Sequence, residues 1–332
     1  MSIILVLYNR AELTLWCLRS VIAAAQIPAE VLLVDNNSKD YTTELLERTE
    51  GARIIRNNEN KGFLLAVNQA AQAARGEYLL LLNNDAKLLP GTLTATVRLM
   101  EEEPNVGVVG GKILALDGRV QECGSIIWQD GSCQGYGRGE SAVVPEFTFR
   151  RDVDYCSGAF LLTSTNLFRE LNGFDEIYAP AYYEETDYCM RVRKQGLRVV
   201  CDPRACVAHY EFASSDNREE AIALQRTNQR TFAKKHGDRL QSHYVAKRGN
   251  TLKARFAAGP NTHVLYIDDR VPHTALGSGF PRANFTVRTL VGLGYSLTVY
   301  PLNFPNEDKL GARLTWIFHA RRRSCWTTDA VG

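Results

Sequence analysis

Tyr78-Leu79-Leu80-Leu81-Leu82 is an apolar run without a polar face, and it stops abruptly on Asn83-Asn84-Asp85. A run this short, apolar at every alternate position of both sets, reads as a strand buried on its two faces, the pattern of parallel sheets. Open sheets of that kind bind ligands at the carboxyl ends of their strands, which is where Asp85 falls. A carboxylate there suits a hard divalent cation, which takes oxygen ligands and keeps positions for phosphate. The same three residues also suit a turn, because Asn and Asp hydrogen-bond locally to backbone.

The N-terminal half repeats this arrangement. Residues 2–7, 31–34 and 53–56 are three earlier strands, and residues 106–109 are a fifth that closes on Gly110-Gly111. Helical stretches lie between them. Residues 11–25 carry Leu13, Cys17, Leu18, Val21 and Ile22 at helical spacing; residues 41–49 follow, then an Ala-rich run from Gly62 to about Ala74, then residues 92–103 between Pro90-Gly91 and Pro104. Strands alternating with helices predict an α/β fold with a doubly wound, mostly parallel sheet. Polar turns end the strands: Tyr8-Asn9-Arg10, Asp35-Asn36-Asn37-Ser38-Lys39-Asp40, and Asn57 to Gly62.

Residues 112–154 break the rhythm and read as an irregular insertion with short strand-like pieces such as 125–128. Order returns with a strand at 158–163, a helix at 165–171, a turn at 172–176 and a helix opened by Tyr182-Tyr183-Glu184-Glu185-Thr186-Asp187 that runs to Gln195. Acids at a helix start complement its dipole by ~0.3–1 kcal/mol each, but three in four residues exceed that need. Residues 198–202 are another strand, His209-Tyr210 closes an apolar segment, and residues 216–236 suit a helix.

Residues 247–261 are basic and poor in pattern, as a linker would be. Residues 264–267 restart as a strand ending in Asp268-Asp269-Arg270, followed by the turn Gly277-Ser278-Gly279, a helix at 283–293 and a strand at 296–300. One β-α-β unit is too small to bury a core alone. Beyond residue 310 the pattern is lost in Arg321-Arg322-Arg323, Trp326 and a polar end. The expected organisation is a domain at 1–245, a linker at 246–262, the partial start of a second Rossmann-like domain at 263–310 and an irregular tail at 311–332.

A net charge of +2 argues against duplex nucleic acid as a partner. The apolar runs are strand-sized, with neither a spanning helix nor a signal-peptide core near Met1, so a cytoplasmic protein is expected. Eight Cys form no CxxC pair and read as free thiols rather than a zinc site.

Asn9, Asp35, Gly62 with Asn68, Asn84-Asp85, Gly173-Phe174-Asp175-Glu176, Glu184-Glu185-Thr186-Asp187 and His209 occur in one order. As an ordered set over about residues 2–244 they resemble family 2 glycosyltransferases of the GT-A nucleotide-sugar fold, most closely rhamnosyltransferase-like enzymes of surface polysaccharide assembly. The segment from Val264 to Pro272 resembles the start of a GT-B glycosyltransferase domain.

The resemblance implies inverting hexosyl transfer from a nucleotide-diphosphate sugar to a hydroxyl of a glycan or lipid-linked acceptor, in cell-surface polysaccharide synthesis. Tyr8, Asn9, Asp35, Gly62, Asn68, Asn84 and Asp85 would hold the donor, Gly62 by letting backbone approach it closely. Read alone, Gly62 and Asn68 are a turn glycine and a surface amide. Asp85 and His209 would hold Mg²⁺ or Mn²⁺ against the diphosphate; read alone, His209 is a buried hydrogen-bonded histidine. Asn83 departs from the family pattern by replacing its first acid. Glu185 matches the general base, usually Asp, so it reaches one methylene further. Gly173, Phe174, Asp175, Glu184 and Asp187 fall on the acceptor side, with Arg191 spaced for an i,i+4 pair to Asp187 and the 112–154 insertion shaping the pocket. Tyr182 and Tyr183 are candidates to stack on a sugar, or simply core. The inner face of the membrane, met by the basic tail, is a candidate location.

Two alternatives stand beside this. A non-catalytic nucleotide-sugar-binding module accommodates Asn83, although Asp85, Glu185 and His209 argue against it. A sugar nucleotidyltransferase needs a Gly-rich loop after the first strand to cradle a triphosphate, and Tyr8-Asn9-Arg10 has no Gly. The absence of GxGxxG after the first strand argues against a Rossmann dehydrogenase.

Overall fold

In the computed structural model, residues 1–24, 26–210, 218–257, 263–270, 272, 279–293 and 295–302 are described. The chain divides into two compact units, Met1–Ala258 and Gly259–Gly332. The first unit runs β1 (Ser2–Leu7), α1 (Ala11–Ala23), β2 (Glu30–Asp35), α2 (Thr42–Glu47), β3 (Ala52–Arg56), α3 (Gly62–Ala73), β4 (Tyr78–Leu82), β5 (Ala86–Leu88) and α4 (Thr92–Glu102). It continues through β6 (Val106–Leu114), β7 (Val120–Cys123), β8 (Ser125–Ile127), β9 (Cys133–Gly135), β10 (Arg151–Asp152), β11 (Phe160–Ser164), α5 (Thr165–Glu170), α6 (Glu184–Lys194), β12 (Arg198–His209), α7 (Arg218–Leu240) and α8 (Thr251–Ala254).

The leucine run is the centre of the main sheet, whose order is β10-β12-β6-β11-β4-β1-β2-β3. Strands β3, β2, β1 and β4 are parallel, β6 and β12 are parallel, and β11 runs antiparallel to both β4 and β6. Leu79 and Leu81 face α3, packing with Leu64, Val67 and Ala70. Leu80 and Leu82 face the other way, against Cys17 and Leu18 of α1 and Leu93 and Val97 of α4. All four leucines are buried, each worth ~1.5–3 kcal/mol, which is why the run tolerates no polar residue. The doubly wound, mostly parallel α/β sheet expected from the sequence is present.

Some boundaries differ for identifiable reasons. β6 does not stop at Val109 but continues through Gly110-Gly111 to Leu114. The glycines are there because a Cβ on Gly110 would strike Cys156 and one on Gly111 would lie 2.6 Å from the Ala205 carbonyl oxygen, so close neighbours rather than a chain end require them. β12 extends beyond Asp202 to His209, with an irregularity between Asp202 and Cys206, and its last residues pair with β5. The 112–154 insertion is more ordered than its composition suggested: β7 pairs with β6, β8 with β9, and β10 with β12.

Within the stretch read as a linker, Arg255 pairs with Glu146 at 2.5 Å and the Ala257 N–H donates to the Asp152 carbonyl at 2.8 Å. In the second unit β13 (His263–Asp268) and β14 (Ser296–Pro301) are parallel, joined through α9 (Phe280–Gly292), with Val287 and Leu297 buried between them. The turn at Gly277-Ser278, residues 258–262 and 303–310, and the tail with Arg321, Arg322, Arg323 and Trp326 lie outside the described residues. No helix among the described residues is long and apolar enough to cross a membrane.

Candidate active site

The carboxyl ends of β1 and β2 are tied together by side chains. Asn9 and Arg10 both take positive φ, 59° and 65°, which costs a residue with a Cβ unless neighbours hold it. The loop after β2 supplies those neighbours. Ser38 Oγ accepts from the Asn9 N–H at 2.9 Å, Asp40 Oδ2 from the Ala11 N–H at 3.0 Å, and Asn9 Oδ1 accepts from the Lys39 N–H at 2.7 Å. Asp35 is buried with Oδ1 on the Ser38 N–H at 3.0 Å, while Tyr8 is 40% exposed and free to meet a flat ligand.

At the end of β4 the expected pair comes together. β12 returns antiparallel to β5 with His209 opposite Ala86, and the Tyr210 N–H donates to the Asp85 carbonyl at 3.0 Å. His209 Nε2 then lies 3.1 Å from Asp85 Oδ1. Its Nδ1 faces Gln121 Oε1 at 3.1 Å, and Asn83 Nδ2 faces Nε2 at 3.4 Å. Gln121 Oε1 can only accept, so it takes the Nδ1 proton, and in the neutral ring Nε2 then presents a lone pair. Asp85 Oδ1 is buried with no hydrogen-bond donor on it. An imidazole nitrogen and a carboxylate oxygen 3.1 Å apart are suitable donors to one divalent cation. Among the described residues no cluster of three or more His, Cys, Asp or Glu ligands occurs, so a cation here would draw its other ligands from phosphate and water. Asn84 does not join the pair, its Nδ2 donating to Thr14 Oγ1 at 3.0 Å.

Glu184 and Glu185 open α6, and each keeps an Oε2 without a hydrogen-bond partner. Burial raises the Glu185 pKa to about 7, against N–H groups of the helix start and of Gly158 that favour its charged form. Glu184 is raised well above the ordinary range by burial and then by the charge of Glu185. Neighbouring carboxyls with open oxygens and raised proton affinity are what a proton-abstracting site requires. The next residue, Ala159, accepts the Asn83 N–H at 3.1 Å, so one short segment links Glu185 to the end of β4.

Asp187 and Phe174, expected on the acceptor side, are buried and packed by neighbours. Asp187 meets Arg191 and Lys235 at 2.6 Å and His236 at 2.7 Å, so the expected i,i+4 pair is part of a larger knot between α6 and α7. Burial would raise its carboxyl, but His236, Arg191 and Lys235 outweigh that and hold it at about 2. Phe174 packs edge-on against Phe168 and Tyr188 at 5.3 and 5.9 Å. Asp175 caps the turn after it and pairs with Lys235, and Gly173 takes positive φ. Tyr183 stacks against Phe232 at 5.3 Å and donates to the Gly131 carbonyl, the core alternative of its two readings.

A Cβ on Gly62 would lie 2.7 Å from Pro180, so the glycine admits the protein's own backbone there. Asn68 spends its amide on Phe174, donating to the carbonyl and accepting from the N–H, both at 2.8 Å. Both residues brace the turn beneath α6. Two contributors had no motif to mark them: Gln121, which orients His209, and Asn228, whose Nδ2 holds the carbonyls of Tyr178, Ala181 and Tyr182 at 3.0 Å.

The strand order and the helices on both faces of the sheet are those of the GT-A fold. Residues 2–132 match the Glycosyl transferase family 2 model. The chain is 31% identical over 230 residues to the O-antigen biosynthesis protein RfbC of Myxococcus xanthus, covering 67% of this chain and 18% of that one. It is 28% identical over 242 residues to an N-acetylglucosaminyl-diphospho-decaprenol L-rhamnosyltransferase of Mycobacterium tuberculosis, covering 65% and 77%. The chain thus spans less than a fifth of the Myxococcus relative. GalNAc-T7, solved with UDP, GalNAc and Mn²⁺, superposes with a TM-score of 0.60 at 16% identity, over 75% of this chain and 51% of that one, a likeness of fold alone.

Proposed function

We propose that the first unit transfers a hexosyl group, with inversion, from a nucleotide-diphosphate sugar to a hydroxyl of a glycan or lipid-linked acceptor in cell-surface polysaccharide synthesis. One observation carries this: a carboxylate with an open oxygen, Glu185, is joined through Gly158-Ala159 to the strand end where Asp85 faces the lone pair of His209. Tyr8, Asn9 and Asp35 hold the nucleotide at the ends of β1 and β2. Asp85 and His209 are the residues that would hold Mg²⁺ or Mn²⁺, which when bound offsets the charge of the departing diphosphate. Glu185 takes the proton of the acceptor hydroxyl as its oxygen bonds to the anomeric carbon, and the bond from that carbon to phosphate breaks with its electrons leaving on the nucleoside diphosphate. Work at the inner face of the membrane suits a lipid-linked acceptor. We read the second unit as the start of a GT-B-type domain.

Asn83 favours a second reading, a nucleotide-sugar-binding module without turnover, because its amide occupies the histidine lone pair that a metal needs. Thermal stabilisation is measured with UDP, dTDP and GDP and with UDP-glucose, UDP-N-acetylglucosamine, dTDP-rhamnose and GDP-mannose, each with Mn²⁺ or Mg²⁺. A matching donor at a hundredfold excess over Kd adds about 2.7 kcal/mol, a visible rise in Tm. Turnover of that donor with an N-acetylglucosaminyl-diphospho-polyprenol acceptor supports transfer. Binding without turnover supports the second reading, and no stabilisation by any donor rejects both.

A further inference from the structure

Glu122 has no part in the roles above, yet it is placed among them. It lies on β7 beside Gln121, the residue that orients His209. Ser125 Oγ donates to its Oε2 at 3.0 Å, and Ser157 hydrogen-bonds the same carboxyl. Across β9, Gly135 leaves it room, since a Cβ there would lie 2.9 Å from Oε2. The segment Ser157-Gly158-Ala159 touches in turn Glu122, Glu185 and the end of β4. Three consecutive residues span at most about 7 Å between their outer Cα atoms, so the two carboxyls and the Asp85 turn are gathered along one short stretch of backbone. His209 and Arg138 lie within electrostatic reach of Glu122, and Glu122 within reach of Glu185.

Glu122 and Glu185 are thus held by adjacent residues of one segment whose next residue meets the end of β4. The Glu122 oxygens offer about four acceptor positions, and the two serines use two of them. On the glycosyl-transfer reading, on which this inference rests, we propose that Glu122 is a specificity-determining residue that accepts a hydrogen bond from a hydroxyl of the donor or acceptor sugar. Ser125 and Ser157 fix its carboxyl, and the missing Cβ at Gly135 leaves room for Oε2.

The test uses calorimetry on the full chain with Mn²⁺, comparing each nucleoside diphosphate with its sugar from the panel above, for the wild type, Glu122→Gln and Ser157→Ala. A lost hydrogen bond to a charged group predicts about 10- to 100-fold weaker binding. If the donor sugar is the ligand, Glu122→Gln weakens the nucleotide sugar by that factor and leaves the nucleoside diphosphate unchanged. An acceptor sugar as ligand leaves both affinities unchanged and raises the KM for the polyprenol acceptor. Ser157→Ala moves the same quantity in the same direction by a smaller factor, and it stands in if Glu122→Gln does not fold. Unchanged sugar affinity together with unchanged acceptor KM overturns the Glu122 assignment alone, as does an equal loss for nucleotide and nucleotide sugar. A wild type that binds no nucleotide sugar overturns the transfer reading and this one with it.

Discussion

At the scale of single residues, Glu185 and Asn83 lead to the sharpest expectations. With its pKa raised to about 7, Glu185 acts in its deprotonated form if it is the base of the proposed transfer. kcat/KM should therefore rise with pH up to about 7 and fall roughly tenfold per unit below it. Glu185→Gln should lower kcat by about 10²- to 10⁴-fold and abolish that acidic limb while donor affinity stays near wild type; retained turnover with an unmoved profile would remove the base from this position. Asn83 places an amide on the nitrogen that would bind metal. Asn83→Asp should tighten Mn²⁺ binding in a calorimetric titration and Asp85→Asn should weaken it, and equal affinities in all three proteins would count against the pair as ligands. Asp85 and Glu185 were legible in the sequence because one ends an apolar run and the other opens a helix with more acid than its dipole needs. Gln121 and Glu122 were not, since a Gln-Glu step in a short strand carries no local signal.

Elements position these residues through a few polar knots. Asp187 joins α6 to α7 through Arg191, Lys235 and His236, and Asn228 of α7 clamps the loop that leads into Glu184. The Asp187 carboxyl is held at about 2, below its ordinary value near 4, so its contribution is complete above about pH 4 and is lost as pH falls toward 2. Asp187→Asn leaves Arg191 and Lys235 without their shared partner and should cost about 3 kcal/mol in urea unfolding at neutral pH. The difference from wild type should shrink below about pH 4, and a difference independent of pH would show that packing rather than charge holds the helices together. The sequence reading found the Asp187–Arg191 pair from its spacing, because four residues along one helix is a local distance. It could not find Lys235 or His236, which come to Asp187 only when α7 packs on α6.

For the molecule as a whole, the two units have unequal cores. The first buries side chains on both faces of a ten-stranded sheet, whereas the second has Val287 and Leu297 as its buried apolar pair among the described residues. A chain cut after residue 257 should keep the donor-dependent rise in melting temperature, since every residue assigned to donor, metal and base lies before that point. Loss of that rise would show that the second unit contributes to the site. What the sequence determined by itself was the sheet, the helices around it and the chemistry at the strand ends, because burial on both faces demands unbroken apolar runs and these end where water begins. Tertiary structure alone decided what meets there. Asn83 and His209 are 126 residues apart and His209 and Gln121 are 88 apart, separations closed by strand order that no local pattern encodes. The same packing turned Gly62 and Asn68 toward the protein's own backbone, because the room a glycine leaves and the bonds an amide makes depend on which neighbour the fold delivers.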